Sequence, residues 1–163
     1  MRLENATIRW MHVAIGWFFV MLLFASALGK LLDMPGFYRV VDSYRALPGS
    51  AIAALAWSLA LSELALGLWL LASQTKRHWR VAASTAVLGL HLLYLAWLSV
   101  AFARGLNVPN CGCFGVFFPR PLAVRTFVED GFLIVLAIVL LLSAKHVQPS
   151  PSSRHGPRTI CSS

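Results

Sequence analysis

Charge is scarce in this sequence. Asp, Glu, Lys and Arg make up 12% of its 163 residues, and only six residues are acidic. A water-soluble domain carries about 25% charged residues, so a surface covered mainly by water is excluded. Apolar residues, 58% of the chain, gather into long blocks, and the mean hydropathy is +0.71. Lipid is the solvent that such blocks fit. Period-two alternation is missing, which argues against the strands of a membrane barrel. Internal repeats are missing as well, which argues against a transporter built from paired halves. The net charge of +8 comes from 14 Lys+Arg against 6 Asp+Glu. Those bases sit mainly at the ends of apolar blocks, where they anchor helices. No Lys/Arg run lies beside an aromatic-bearing soluble surface, so nucleic acid is not expected as a partner.

What is present is four apolar blocks of spanning length, over residues 10–28, 50–72, 81–103 and 127–144. Each is near the ~20 residues that a helix needs to cross the hydrocarbon. The expected fold is all-α, an integral membrane four-helix bundle occupying residues 1–148 as one domain. A Pro/Ser-rich tail, residues 149–163, reads as disordered and cytoplasmic. Small residues at Ala25/Gly29 and Ala65/Gly89 offer places for helices to approach closely. Asp33 to Gly49 reads as a mixed loop with Pro35 and Pro48, Gln74 to Arg80 as a short basic turn, and Asn107 to Arg125 as the longest loop. Four spans place both termini and the basic turn on one side, with eight Lys/Arg against six on the other. The positive-inside rule then puts the termini in the cytoplasm and the longest loop outside. Ala25-Ser26-Ala27 resembles a signal cleavage site, but the apolar stretch is long for a signal peptide and Glu4 is unusual in its n-region. An uncleaved first helix is expected.

The longest loop contains Cys111-Gly112-Cys113-Phe114-Gly115. Two cysteines flanking one residue close a small, strained ring, and strain makes a disulfide more oxidising. Gly112 and Gly115 permit the backbone dihedrals and the approach of a partner thiol. An outward loop lies in an oxidising compartment. Thiol–disulfide exchange is the leading reading. A static disulfide that only shapes the loop stands second. A metal site stands third, because the loop supplies no histidine and more ligands are needed. Cys161, in the tail on the opposite side, reads as a free thiol without a role.

Glu63 stands inside the second apolar block and His91 inside the third. Glu63 is 14 residues past Gly49 and His91 is 13 before Arg104, so both lie about 20 Å from the outer ends. An intramembrane acid is a functional candidate by default. The two residues read either as a structural hydrogen-bonded clamp, which ranks first, or as a proton-handling pair. Lys30, ending the first block, either snorkels to the interface or lies near the Cys111 thiolate and lowers its pKa. Phe114, Phe117 and Phe118 are expected to bury the motif loop at the membrane surface, and Trp10 and His12 to be interfacial.

These residues resemble a known family. Ser26 to Asp33 (Ser-Ala-Leu-Gly-Lys-Leu-Leu-Asp), then Phe37 and Tyr44-Arg45-Ala46-Leu47-Pro48, are similar to the first span and loop of the methylamine utilisation MauE family, within the wider DoxX-like group. Glu63-Leu64-Ala65-Leu66-Gly67 matches its acid-bearing second span, and Arg104-Gly105 with Cys111-Gly112-Cys113-Phe114-Gly115 its loop after the third. The likeness runs in order over roughly residues 10 to 144, and the Pro/Ser tail lies outside it. It implies a bacterial inner-membrane protein that assists maturation and disulfide formation of a periplasmic protein, the small subunit of methylamine dehydrogenase or a similar disulfide-rich protein, alongside a thioredoxin-like partner. The redox pair would be Cys111 and Cys113, and the resemblance raises Lys30 and Glu63 above their bland readings. If the protein is catalytic, it is a component of a thiol–disulfide oxidoreductase. The alternative is a non-catalytic scaffold for an exported or redox partner, with a static disulfide. No cofactor is evident; a quinone would complete an electron circuit but is not derivable from the sequence.

Overall fold

A computed structural model describes residues 2–73 and 76–147. The tail with Cys161, and Gln74 and Thr75 of the basic turn, lie outside the described residues. Five helices follow one another: α1 Arg2–Leu31, α2 Met34–Ser43, α3 Gly49–Ala72, α4 Arg77–Ala103 and α5 Val124–His146. Four of them are long and apolar enough to cross a membrane, over Ala6–Leu31, Gly49–Ala72, Arg77–Ala103 and Val124–His146. At about 1.5 Å per residue they reach ~35–40 Å, more than the ~30 Å hydrocarbon.

The four long helices close a ring. α1 packs on α3, α3 on α4, α4 on α5 and α5 back on α1. Inside lies an apolar core of Phe19, Val20 and Leu23 from α1, Leu66 and Leu70 from α3, Ala83 and Val87 from α4, and Ala137 and Leu140 from α5. The outside is equally apolar, with Trp17, Met21, Leu61, Leu68, Leu93, Val100, Val135 and Leu142 exposed. Meanwhile Lys30, Glu63, Arg80, His91 and Asp130 are buried. Charge inside and hydrocarbon outside is the arrangement that lipid selects. The chain is a multi-pass integral membrane protein, as its composition indicates.

Several local expectations are corrected. Helices overrun the apolar blocks at most ends, because backbone hydrogen bonding continues into flanking polar residues. The segment read as a loop after Asp33 holds α2. Asp33 caps it by accepting the Gly36 N–H at 2.9 Å, with Pro35 in the first turn; this is a standard helix start. Met34, Phe37 and Val41 of α2 bury against Ala56 and Ala60 of α3. Arg45 follows the helix with φ 48°, and Arg104 donates to the Tyr44 and Arg45 carbonyls at 3.3 and 3.2 Å. A cation at a helix C-terminus also suits the macrodipole.

The expected small-residue contacts fail. Ala25, Ala65 and Gly89 are exposed, and a Cβ on Gly89 would meet nothing within 4 Å. Gly29 is buried, but its neighbour is a loop and not a helix. His12 is not interfacial: it is 2% exposed and its Nδ1 lies 3.0 Å from Ser143 Oγ. Beside it Arg80 donates to Val147 O at 2.7 Å and Arg77 to Lys145 O at 3.0 Å, capping α5.

Candidate functional site

The motif loop does not rest on top of the bundle. It descends between the helices until its backbone touches α1. Gly115, at φ +70°, is the point of contact: an added Cβ would collide with the Gly29 carbonyl and lie 2.8 Å from Lys30 N. A Cβ on Gly29 would in turn strike the Phe114 carbonyl. Two glycines therefore let two backbones meet where no side chain fits. Gly112, at φ +80°, faces α2, and a Cβ there would lie 2.8 Å from Val40 Cγ1 and 3.2 Å from Phe37 Cε2.

Side chains from the spans then hold the motif backbone. Tyr44 donates to Cys111 O at 2.8 Å; burial pushes its hydroxyl pKa well up, so it remains a neutral donor. Lys30 Nζ donates to Cys113 O at 3.0 Å, and Ser26 Oγ contacts the same carbonyl. Asn110 accepts the Gly112 N–H at 2.9 Å and donates to Gly115 O at 3.0 Å. Cys111 N–H bonds Arg120 O at 2.7 Å, closing the loop's base.

Beneath the motif lies an ion pair. Lys30 Nζ stands 2.7 and 2.6 Å from the two carboxylate oxygens of Glu63, and both residues are 1% exposed. Lys30 also donates to Ser26 Oγ at 2.6 Å, Ser26 lies 2.9 Å from Glu63 Oε2, and the Tyr94 hydroxyl donates to Oε1. Burying two charges is tolerable only with this degree of satisfaction. The snorkelling reading of Lys30 is thus replaced, since its ammonium points inward under the rings of Phe37 and Tyr94 at 5.6 and 5.8 Å. His91 does not pair with Glu63 through a hydrogen bond. Its Nδ1 bonds Val87 O on its own helix at 2.8 Å and its ring stacks edge-on against Phe19.

The two sulfurs face each other at 3.3 Å. The hydrogen bond between the two sulfurs pulls the Cys111 pKa down to about 7, while the same bond and burial push Cys113 well up. Cys111 is therefore the first thiolate. Arg120 adds to that effect from outside the motif, and Lys30 acts weakly on Cys113. The cation read as an activator of Cys111 thus holds the loop backbone instead. Phe114 is partly buried under the Arg120 guanidinium at 5.4 Å, whereas Phe117 and Phe118 are 55% and 69% exposed and do not cover the motif.

Two cavities flank the sulfurs. A cavity of about 410 Å³ is walled by α1, α4 and α5 and reaches both cysteines, Glu63, His91 and Asp130. A second, of about 200 Å³, lies under α2 between Lys30, Tyr44, Trp97 and the motif. Among the described residues no three His, Cys, Asp or Glu side chains are grouped to hold a metal ion.

Sequence reasoning passed over Ser26, Tyr44 and Tyr94 as individual contributors, and it missed Asp130. That acid is 8% exposed, and its Oδ2 has no hydrogen-bond partner among the described residues. The signal was available, since Asp130 falls within the fourth apolar block, but its neighbours Arg125 and Glu129 give it the look of a span edge.

The methylamine utilisation protein MauE of Paracoccus denitrificans is 30% identical over 123 residues, covering 76% of this chain and 64% of that protein. The chain thus spans less than two thirds of that relative's length. No solved structure matches it. The family described as methylamine utilisation protein MauE matches residues 8–143, which include all four spans' cores, Lys30, Glu63 and the Cys-Gly-Cys loop; the chain belongs to this family.

Proposed function

We propose that the protein assists disulfide formation in an exported protein through thiol–disulfide exchange at Cys111 and Cys113. The observation that supports this most is the sulfur pair at 3.3 Å with its thiolate assigned to Cys111. Closing the bond needs a movement of only about 1 Å, and the motif backbone is already held on both sides. Family membership supports methylamine utilisation as the setting. The client would then be the small subunit of methylamine dehydrogenase or a similar disulfide-rich protein, and a thioredoxin-like protein the partner. The location would be the bacterial inner membrane, with the motif face outside and both termini in the cytoplasm. Arg77, Arg80 and Lys145 at the end opposite the motif support that orientation.

Exchange passes through a mixed disulfide in either direction. Cys111, the more acidic thiol, forms it and Cys113 resolves it. Cys113→Ser should therefore accumulate a covalent, reductant-sensitive complex with the thioredoxin-like partner, and Cys111→Ser should not. Both variants should insert normally and lose maturation activity. Full activity of the double serine variant, with no trapped complex from either single variant, would leave only the scaffold reading. The burial of Cys111 is the observation that favours that second reading, because a sulfur hidden from partners suits a static crosslink.

A further inference from the structure

We propose that the larger cavity binds the ring of a lipid-soluble quinone, which accepts two electrons from the Cys111–Cys113 dithiol. This rests on the exchange reading above and names its electron acceptor.

Four observations lead there. The cavity, about 410 Å³, falls within the ~300–1,000 Å³ usual for small-molecule sites. Its wall is mainly apolar and includes Val128 and Phe132, which are 67% and 60% exposed on the lipid-facing side of α5. A ligand dissolved in the bilayer therefore has a lateral route. Both cysteines line this wall, so the buried Cys111 still faces a cavity. Finally, Asp130 lines it with a buried carboxylate oxygen that has no partner among the described residues. A buried oxygen without a partner is costly, more so when charged, and a hydroxyl of the reduced ring supplies the missing donor. Asp130 lines the same cavity as both cysteines, and its negative charge pushes both thiols up.

The chemistry balances on the dithiol and the ring alone. The two S–H bonds break, the S–S bond forms, and two electrons pass to the quinone. Its two carbonyl oxygens each gain a proton and become hydroxyls. Asp130 takes a thiol proton and returns it to a ring oxygen, ending as it began. The oxidised motif is then ready for the next pair of client thiols.

The test uses the full chain in lipid nanodiscs, reduced, freed of reductant and mixed without oxygen with decylubiquinone. The expected result is reduction of about one quinone per protein with loss of the Cys111 and Cys113 thiols, as forming one disulfide supplies two electrons. Asp130→Asn should slow it about a hundredfold, the low end of a general acid–base contribution. Val128→Trp narrows the mouth from an exposed position that does not touch the core, and should also slow it. A protein that exchanges with a thioredoxin-like partner but leaves the quinone untouched overturns this inference and spares the proposed function. A protein that does neither removes both. Quinone reduction at the wild-type rate in Val128→Trp and Asp130→Asn would place the reaction elsewhere and overturn the site.

Discussion

Lys30 and Glu63, 33 positions apart and on different spans, share an ion pair of 2.6 Å with both side chains almost wholly buried. The pair joins α1 to α3, and through the Cys113 carbonyl it joins both to the motif loop.

Removing one charge should cost far more than removing both. Glu63→Leu or Lys30→Met alone leaves an uncompensated buried ion and should destabilise the protein by about 3–5 kcal/mol. The double variant Lys30→Met/Glu63→Leu should recover much of that loss, and Glu63→Gln should be milder than Glu63→Leu. Thermal unfolding in detergent, run as a double-mutant cycle, measures the coupling. Additive losses would mean that the charges act separately.

The reactivity of Cys111 should rise with pH through about 7, because the thiolate is the reactive form and the Cys113 thiol stabilises it. Below that pH Cys111 carries its proton and alkylates slowly. Cys113→Ala removes the largest lowering cause and leaves burial opposed by the residue-113 backbone and Arg120, so the midpoint should move up toward ~8.5. Alkylation rates followed by mass spectrometry across pH 5–10 (about the range of thiol titration) check both.

Glycine contacts give a paired test. Gly115→Ala strains a residue at φ +70° and drives a Cβ into the α1 backbone, so the loop must lift and the motif lose its seat. Gly89→Ala meets open space on a lipid-facing helix and should be neutral or stabilising, by up to about 1 kcal/mol. Melting temperature and the alkylation rate of Cys113 separate the two.

Tyr44→Phe removes the donor to Cys111 O without changing shape. The expected loss is about 1 kcal/mol, with faster alkylation of both thiols as the loop loosens. An unchanged rate would show that Lys30, Asn110 and the Gly115 contact hold the motif without it.

The proposed orientation is checked by reporter fusions. A reporter active only outside the cytoplasm should work when fused after Val116 and fail after Lys145. The reverse pattern would put the thiols in a reducing compartment, against exchange as an oxidative step.

How much of this was legible in the sequence follows from what each feature depends on. The spans depend on local hydropathy, and they stand where the apolar blocks are. Lys30, Glu63, Cys111 and Cys113 stood out as unusual residues or as a motif, and the structure brings them together. Which of them touch was not legible, because contact depends on how far one helix is displaced along another. Glu63 was expected to lie opposite His91 because both are similarly deep. Packing instead turned His91 toward Phe19 and gave Glu63 to Lys30, Ser26 and Tyr94. The helix α2 was hidden because ten residues are too few for a span, and Pro35 read as part of a loop where Asp33 makes it a helix start. Asp130 was hidden by its charged neighbours.

The ion pair also constrains how the chain enters the bilayer during synthesis. Lys30 and Glu63 emerge from the ribosome well before the cysteines. Either charge alone in lipid carries a penalty of about 2.5–3.5 kcal/mol on the insertion scale, so each span partitions less favourably by itself. Partitioning of α1 and α3 as one helical hairpin, already neutralised, avoids that penalty. The floor on which the cysteine loop will rest is then laid before the loop itself is translated.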